Sequence, residues 1–306
     1  MSKLLNFIRH PIQTLQNRSN SRFIAKNASL NDKDFIEKYF KKVFHYDLDL
    51  NDPKTFNEKI QWLKLYDRKP FYTTLVDKVA VRDYVRKTIG EEYLIPLCGI
   101  WDKSEDIDFS SLPDRFVLKC NHNSGLGMYI CKNKKNIQVD EVTSNLRKGL
   151  NEDFYLHGRE WPYKNVPRKI IGELFLDDGS GTELMDYKLF CFEGKFKLLL
   201  VCSDRHTKLS NDWYDCNLKH LPCINGPKNR NKPIVLSPKM DEMIKLAEKL
   251  SKGIPQARID FYDLNGKIYF GEITLFESSG FAPFKPKQFD RIFGDLIKLP
   301  TKKTEE

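Results

Sequence analysis

The stretch ARIDFYDLNGKIYFGEITL (residues 257–275) constrains the fold most, because it sets ionisable side chains into two strands that are otherwise largely apolar. An unpaired buried carboxylate is costly, so Asp260 and Glu272 each require a cation or a hydrogen-bond partner. Side chains alternate faces along a strand, so the pairing register decides whether the two carboxylates meet. Asn265-Gly266 ordinarily signals a two-residue turn, which pairs Leu264 with Lys267 and sends Glu272 to the opposite face from Asp260. A three-residue loop, Leu264-Asn265-Gly266, pairs Asp263 with Lys267 instead and brings Arg258, Asp260, Glu272 and Thr274 to one face. A common face therefore demands an odd-length loop or a bulge, and one of the two is expected. Two carboxylates, a hydroxyl and an arginine so placed suit Mg²⁺ carrying phosphates. The plainer alternative is a half-exposed hairpin in which Arg258 pairs with one carboxylate.

Elsewhere, helical and strand patterns mix. Asn31 or Asp32 is positioned to cap a helix through FIEKYFKKVF, and Thr55 with Glu58 three residues on forms a capping box before FNEKIQWLKLY. A third helix is expected across LVDKVAVRDYVRKTIG, ending at Gly90. After Pro113, FVLKC (116–120) and KIIGELFL (169–176) read as buried strands, and 187–203 reads as a hairpin around Glu193-Gly194-Lys195. Residues 237–253 form the clearest amphipathic helix. The expected class is α+β with mainly antiparallel pairing.

Composition narrows the function classes. None of the apolar runs in the 306 residues approaches the roughly 18 that a membrane span needs, and the first residues lack a signal-peptide pattern. Seven scattered cysteines without a CxxC pair read as free thiols of a reducing compartment, so a cytoplasmic protein is expected. The formal charge of +9 attracts polyanions, yet the basic residues are interspersed with acids and carry no nucleic-acid-binding motif. No nucleic-acid partner is expected.

Three further pieces carry chemistry. Lys119 ends a strand and opens the loop Asn121-His122-Asn123-Ser124-Gly125-Leu126-Gly127-Met128, whose small residues can bring backbone N–H groups to phosphate oxygens. It is neither a P-loop nor a GxGxxG fingerprint. Glu173-Leu174-Phe175 is followed by a polar loop and then Asp186-Tyr187-Lys188, and Lys78 lies in VDKVAVRDYV. The order Lys78, Lys119 with its glycine loop, Glu173, Asp186 and Lys188, then Arg258, Asp260 and Glu272 resembles the ATP-grasp superfamily over roughly residues 75–282. FNEKIQWLKLYDRKP, FVLKCNHNSG and GEITLFESSGFAPF resemble its TupA-like branch, associated with teichuronopeptide and capsular or surface polysaccharide synthesis.

The resemblance implies two α+β lobes clasping ATP beside a short helical N-terminal region. The expected divisions are 1–74 (helical), 75–170 (first lobe with the phosphate loop) and 171–306 (second lobe with hinge and metal site). Lys78 and Lys119 would touch the α- and β-phosphates under a lid formed by Ser124, Gly125, Leu126, Gly127 and Met128. Glu173, Leu174 and Phe175 would form the adenine hinge, mostly through backbone groups. Asp186 would approach the ribose, and Lys188 the phosphates. Asp260, Glu272 and Thr274 would hold Mg²⁺, Thr274 standing where many relatives carry asparagine, and Arg258 would steady a reacting acyl phosphate. The expected activity is an ATP- and Mg²⁺-dependent carboxylate–amine ligase, joining an anionic sugar or glycan carboxylate to an amine. Peripheral contact with membrane-bound glycan machinery fits that setting. A sugar kinase on the same ATP site and a glycosyltransferase are the alternatives.

Overall fold

The computed structural model describes residues 21–179, 184–204, 209–230 and 233–301. Helix α1 (Asp32–Phe44) is capped by Asn31, whose side chain accepts from the Asp34 N–H. Helix α2 (Phe56–Tyr66) has the capping box in full: the Thr55 side chain accepts from the Glu58 N–H, and Glu58 accepts from the Thr55 N–H. The single helix expected over 75–90 is two, α3 (Phe71–Val76) and α4 (Val81–Thr88). The break lies at Asp77, whose carboxylate accepts from Val79 N–H and from Asn121 Nδ2, both at 2.8 Å. Such a local side-chain bond competes with helix propagation. Lys78 therefore sits in a turn, with its N–H on the Asn121 carbonyl (3.2 Å).

Strands β1 (Leu97–Trp101), β2 (Phe116–Cys120), β3 (Tyr129–Cys131) and β4 (Ile170–Leu174) form a four-stranded antiparallel sheet, in the order β1-β4-β2-β3. Helix α5 (Val139–Leu150) covers one face, burying Val142 and Leu146 with Phe116, Leu118 and Ile170. Strand β4, which spans the expected division at 170/171, pairs with both β1 and β2 and so belongs to this sheet.

The larger sheet contains β5 (Asp186–Phe192), β6 (Lys195–Ser203), β7 (Ser210–Asp215), β8 (His220–Leu221), β9 (Gln256–Leu264) and β10 (Lys267–Thr274), in the order β10-β9-β5-β6-β7-β8. Helix α6 (Met240–Leu250) buries Met240, Met243, Leu246, Ala247 and Leu250, at the three- and four-residue spacing of one helical face. That face joins Leu189, Leu199, Ile259 and Phe261 in the main core. Helix α7 (Gln288–Gly294) packs on α2. Two α2 side chains tie this junction: Asn57 Nδ2 donates to Asp290 (2.9 Å), and Lys59 donates to the carbonyls of Gly294 and Ile297 (2.8 and 2.9 Å).

The register of β9 and β10 carries the most consequence. Leu264 pairs with Lys267 around Asn265 (φ 54°) and Gly266 (φ 85°), the positive dihedrals of a two-residue primed turn. Regular pairing holds to Phe270 opposite Phe261, then shifts so that Glu272 faces Asp260 and Thr274 faces Arg258. Gly271 is the extra residue of this bulge. A Cβ there would come within 3.2 Å of both the Asp260 carbonyl and the Tyr262 ring, tighter than ordinary side-chain contacts. Turn and bulge thus coexist, and the bulge returns Glu272 to the face of Asp260.

The capping box gives a stability test. Thr55→Ala removes the acceptor for Glu58 N–H and should cost about 1 kcal/mol. Urea unfolding would read this as a lower midpoint at unchanged slope, and an unchanged midpoint would show that α2 does not depend on its cap.

Candidate active site

The bulged hairpin and β5 build a cross-strand row. Lys188 lies opposite Asp260, and Asp260 opposite Glu272, so the three share one face of the sheet. Lys188 Nζ meets Asp186 at 2.8 Å and also bonds Asp260. Arg258 donates through Nε and Nη2 to the two Asp260 oxygens (2.7 and 2.8 Å), through Nη2 to Glu272 (2.8 Å), and through Nη1 to Glu277. Asp186, Lys188, Arg258, Asp260 and Glu277 are all buried, and buried charges of this kind persist only when paired and hydrogen-bonded. The Thr274 hydroxyl lies 3.4 Å from Glu272.

The field of the row shows in its acid–base behaviour. Burial works against the Arg258 and Lys188 cations, yet neighbouring carboxylates hold both above their ordinary range. Burial pushes Asp260 up, tempered by Arg258 and Lys188. Burial also opposes ionisation of Glu272, but Arg258, Lys78, Lys188 and Lys119 together bring it down to about 2. Lys78 and Lys119 thus act on Glu272 from outside the larger sheet.

The other lobe presents Lys119 on β2 and Glu173 on β4. Glu173 takes Lys119 (2.6 Å) and Arg82 of α4 (3.2 Å). Asn121 bridges the end of β2 to the Lys78 turn, donating to Asp77 and to the Pro167 carbonyl (2.9 Å). The Lys78 ammonium donates to the Asn123 carbonyl (2.7 Å), and burial lowers its pKa most. Beyond Asn123 the loop divides in character. Ser124, Gly125, Leu126 and Met128 are exposed, whereas Gly127 is packed so closely on the Gly149 backbone and Cys120 Sγ that any Cβ would overlap them. His122 is buried, with Nε2 3.1 Å from the Glu152 carbonyl, and belongs to the scaffold of this loop.

The expected hinge, Glu173 to Phe175, lies at the end of β4. The N–H groups of Leu174 and Phe175 already donate to Pro96 and Arg115 carbonyls (3.0 and 3.4 Å), so those two donors are committed within the lobe. The Glu173 carboxylate orients two cations, Lys119 and Arg82. The sequence pattern points to no side-chain role for Arg82, Asn121, Asn123 or Glu277. Arg82 is joined to the site only by tertiary contacts, whereas Asn121 and Asn123 lie in the loop after Lys119 and are fixed by bonds to Asp77 and Glu152. Glu277 carries a signal, being an acid just after an apolar strand in the segment FESSG.

The donors Asp260, Glu272 and Thr274 suit Mg²⁺, which is held through one or two carboxylates plus substrate phosphates rather than in an all-protein cage. Among the described residues, no three carboxylate, thiol or imidazole groups converge as such a cage.

The depressed Glu272 pKa gives a pH test. A folded-state value lowered from 4.5 to about 2 means stability that is complete above the unfolded pKa and lost as pH falls toward 2. The side chain retains 39% exposure, so solvent screens part of the effect. In metal-free buffer, the urea midpoints of wild type and Glu272→Gln should differ most above about pH 5 and converge toward pH 2. A gap that stays constant to acid pH would remove Glu272 from this cationic field.

Comparison with known proteins bears on this arrangement. No curated protein matches the sequence. Among solved structures, D-alanine–D-alanine ligase from Bacillus anthracis, complexed with ATP, is 19% identical with a TM-score of 0.38, covering 66% of this chain and 54% of that one. D-alanine–D-alanine ligase from Helicobacter pylori is 14% identical (TM-score 0.40; 74% and 63% covered). N5-carboxyaminoimidazole synthase from Aspergillus clavatus, complexed with ADP and 5-aminoimidazole ribonucleotide, is 13% identical (TM-score 0.39; 75% and 53% covered). The chain thus spans between half and two thirds of these proteins' lengths. The model of the TupA-like ATPgrasp family matches residues 58–298, which takes in both sheets, the glycine loop and the Arg258 row, and the chain belongs to that family and has its ATP-grasp fold.

Proposed function

We propose that this protein is an ATP- and Mg²⁺-dependent carboxylate–amine ligase acting on a uronic-acid carboxylate of a bacterial surface or capsular glycan, or of its precursor. The observation that carries the reading is the gathering of Lys78, Lys119, Lys188 and Arg258 from two lobes around the Asp260–Glu272 pair. Lys119 is paired with Glu173, and Lys188 and Arg258 with Asp186, Asp260, Glu272 and Glu277, so a polyphosphate arriving with Mg²⁺ exchanges partners with groups already drawn together. The TupA-like family membership supports the glycan setting.

In this reading Lys78 and Lys119 bind the α- and β-phosphates, and Lys188 reaches the phosphoryl end. Asp186, beside Lys188, faces the ribose. Asp260, Glu272 and Thr274 hold Mg²⁺, which when bound supplies charge neutralisation on phosphate oxygens. The substrate carboxylate attacks the γ-phosphorus, the bond to the bridging oxygen breaks, and ADP leaves with the electron pair. Arg258 steadies the transferred phosphoryl group by directing N–H donors at its developing charge. The amine then attacks the acyl phosphate carbon, expelling phosphate and losing a proton to form the amide. Glu173 contributes indirectly, by orienting Lys119 and Arg82.

The test is ADP release against a panel of uronic acids, each with and without amino acids or amino sugars, with products weighed by mass spectrometry. An amide product is expected. A phosphoester would replace the ligase by a kinase, and ADP release with no acceptor in the panel would remove the uronic-acid assignment. Glu272→Gln should abolish turnover while leaving the fold intact, and full activity in that variant would end the metal assignment. Lys119→Ala should weaken ATP binding by roughly 1.5–3 kcal/mol, the worth of a charge-assisted bond. Calorimetry showing wild-type affinity in a folded Lys119→Ala protein would refute its phosphate role.

A further inference from the structure

Directly after β10 the backbone turns left-handed at three successive residues, Ser278 (φ 48°), Ser279 (φ 54°) and Gly280 (φ 65°). The two serines carry a Cβ, so such a run persists only where its surroundings over-determine it. Those surroundings come from distant parts of the chain. Gln61 Nε2 on α2 donates to the carbonyls of Gly280 (2.6 Å) and Ser279 (3.2 Å). Lys64 Nζ, one turn further, donates to Ser279 (2.9 Å) and Gly158 (2.6 Å) and lies 4.4 Å from the Phe281 ring centroid. The Ser279 hydroxyl donates to Glu160. The fit is closed, since a Cβ on Gly280 would lie 2.6 Å from Gln61 Nε2.

Gln61 and Lys64 are both completely buried, an unusual place for a helical lysine and glutamine. Their hydrogen bonds go to this turn and to Gly158. The turn begins with Glu277, whose carboxylate holds Arg258 Nη1 and is itself fixed by the Ser278 hydroxyl (2.9 Å). We infer that Gln61 and Lys64 are positioning residues: they lock the left-handed turn, the turn sets Glu277 against Arg258, and Arg258 is thereby aimed at the phosphoryl group in transfer. The inference rests on the ATP site proposed above and extends it to the N-terminal helical region.

A structural role alone would weaken everything together, so the test separates ground-state from transfer-state binding. Purified full-length protein is titrated with Mg·ADP, then with Mg·ADP plus aluminium fluoride, a mimic of the transferring phosphoryl group. Gln61→Leu should keep its Mg·ADP affinity within twofold and lose at least tenfold for the aluminium fluoride complex. Glu277→Gln should lose the fluoride complex to at least the same degree. The Gln61→Leu/Glu277→Gln double variant should be no worse than Glu277→Gln, because both act through one path. Wild-type affinity for both probes in Gln61→Leu would overturn the inference. So would equal losses for the two probes, or losses that multiply in the double variant. If Gln61→Leu shows no cooperative melt, Ser279→Ala, which deletes only the hydroxyl to Glu160, replaces it under the same criteria. A wild-type protein that binds no Mg·ADP would instead bring down the ATP-site reading itself, and this inference with it.

Discussion

The Arg258 guanidinium donates at once to Asp260, Glu272 and Glu277, and each carboxylate reaches it by a different local device. Asp260 comes from simple alternation, two residues along the same strand. Glu272 comes from the bulge at Gly271, without which it would point the other way. Glu277 comes from a left-handed turn braced by a helix more than two hundred positions earlier. A planar fork with fixed donor directions is the side chain that can use all three at once. Removing any one carboxylate leaves a buried cation partly uncompensated, so the register of β9 and β10, the turn and the N-terminal helix are tied to one another through a single group.

Charge is arranged in complementary halves. The smaller lobe sets Glu173 between Lys119 and Arg82, with Lys78 and Asp77 close by on the same side. The larger lobe holds Asp186, Asp260, Glu272 and Glu277 around Lys188 and Arg258. The first is therefore locally basic and the second locally acidic, and the two fields meet at Glu272, which feels lysines from both. A ligand with a polyanionic chain and accompanying divalent cations complements this polarity in one orientation only.

How much of this was legible in the sequence depends on the range of the interaction. The capping box at Thr55, the α6 amphipathic face and the β5–β6 hairpin are local, and the patterns that announce them are short. The hairpin register was readable as a conditional: Asn-Gly dictates a tight turn, two carboxylates needing one cation dictate a common face, and a bulge reconciles the two. What failed was local propensity where a tertiary bond competes with it. The run around Lys78 looks helical throughout, but Asp77 bonds Val79 and Asn121 and ends the helix. The committed donors of Leu174 and Phe175, and the roles of Arg82, Gln61 and Lys64, depend on partners far away in the chain and leave no periodic trace.

The contact of Gly127 with Gly149 sets a mechanical limit on the glycine loop. Its near end is held at Asn123 by Glu152, Gly149 and Lys78, and its far end is pressed against helix α5. Only Ser124, Gly125 and Leu126 lie between these two moorings. At about 3.3–3.6 Å per extended residue, so short a span has an apex stroke of only several ångströms. A segment moored at both ends in this way can nod but cannot sweep.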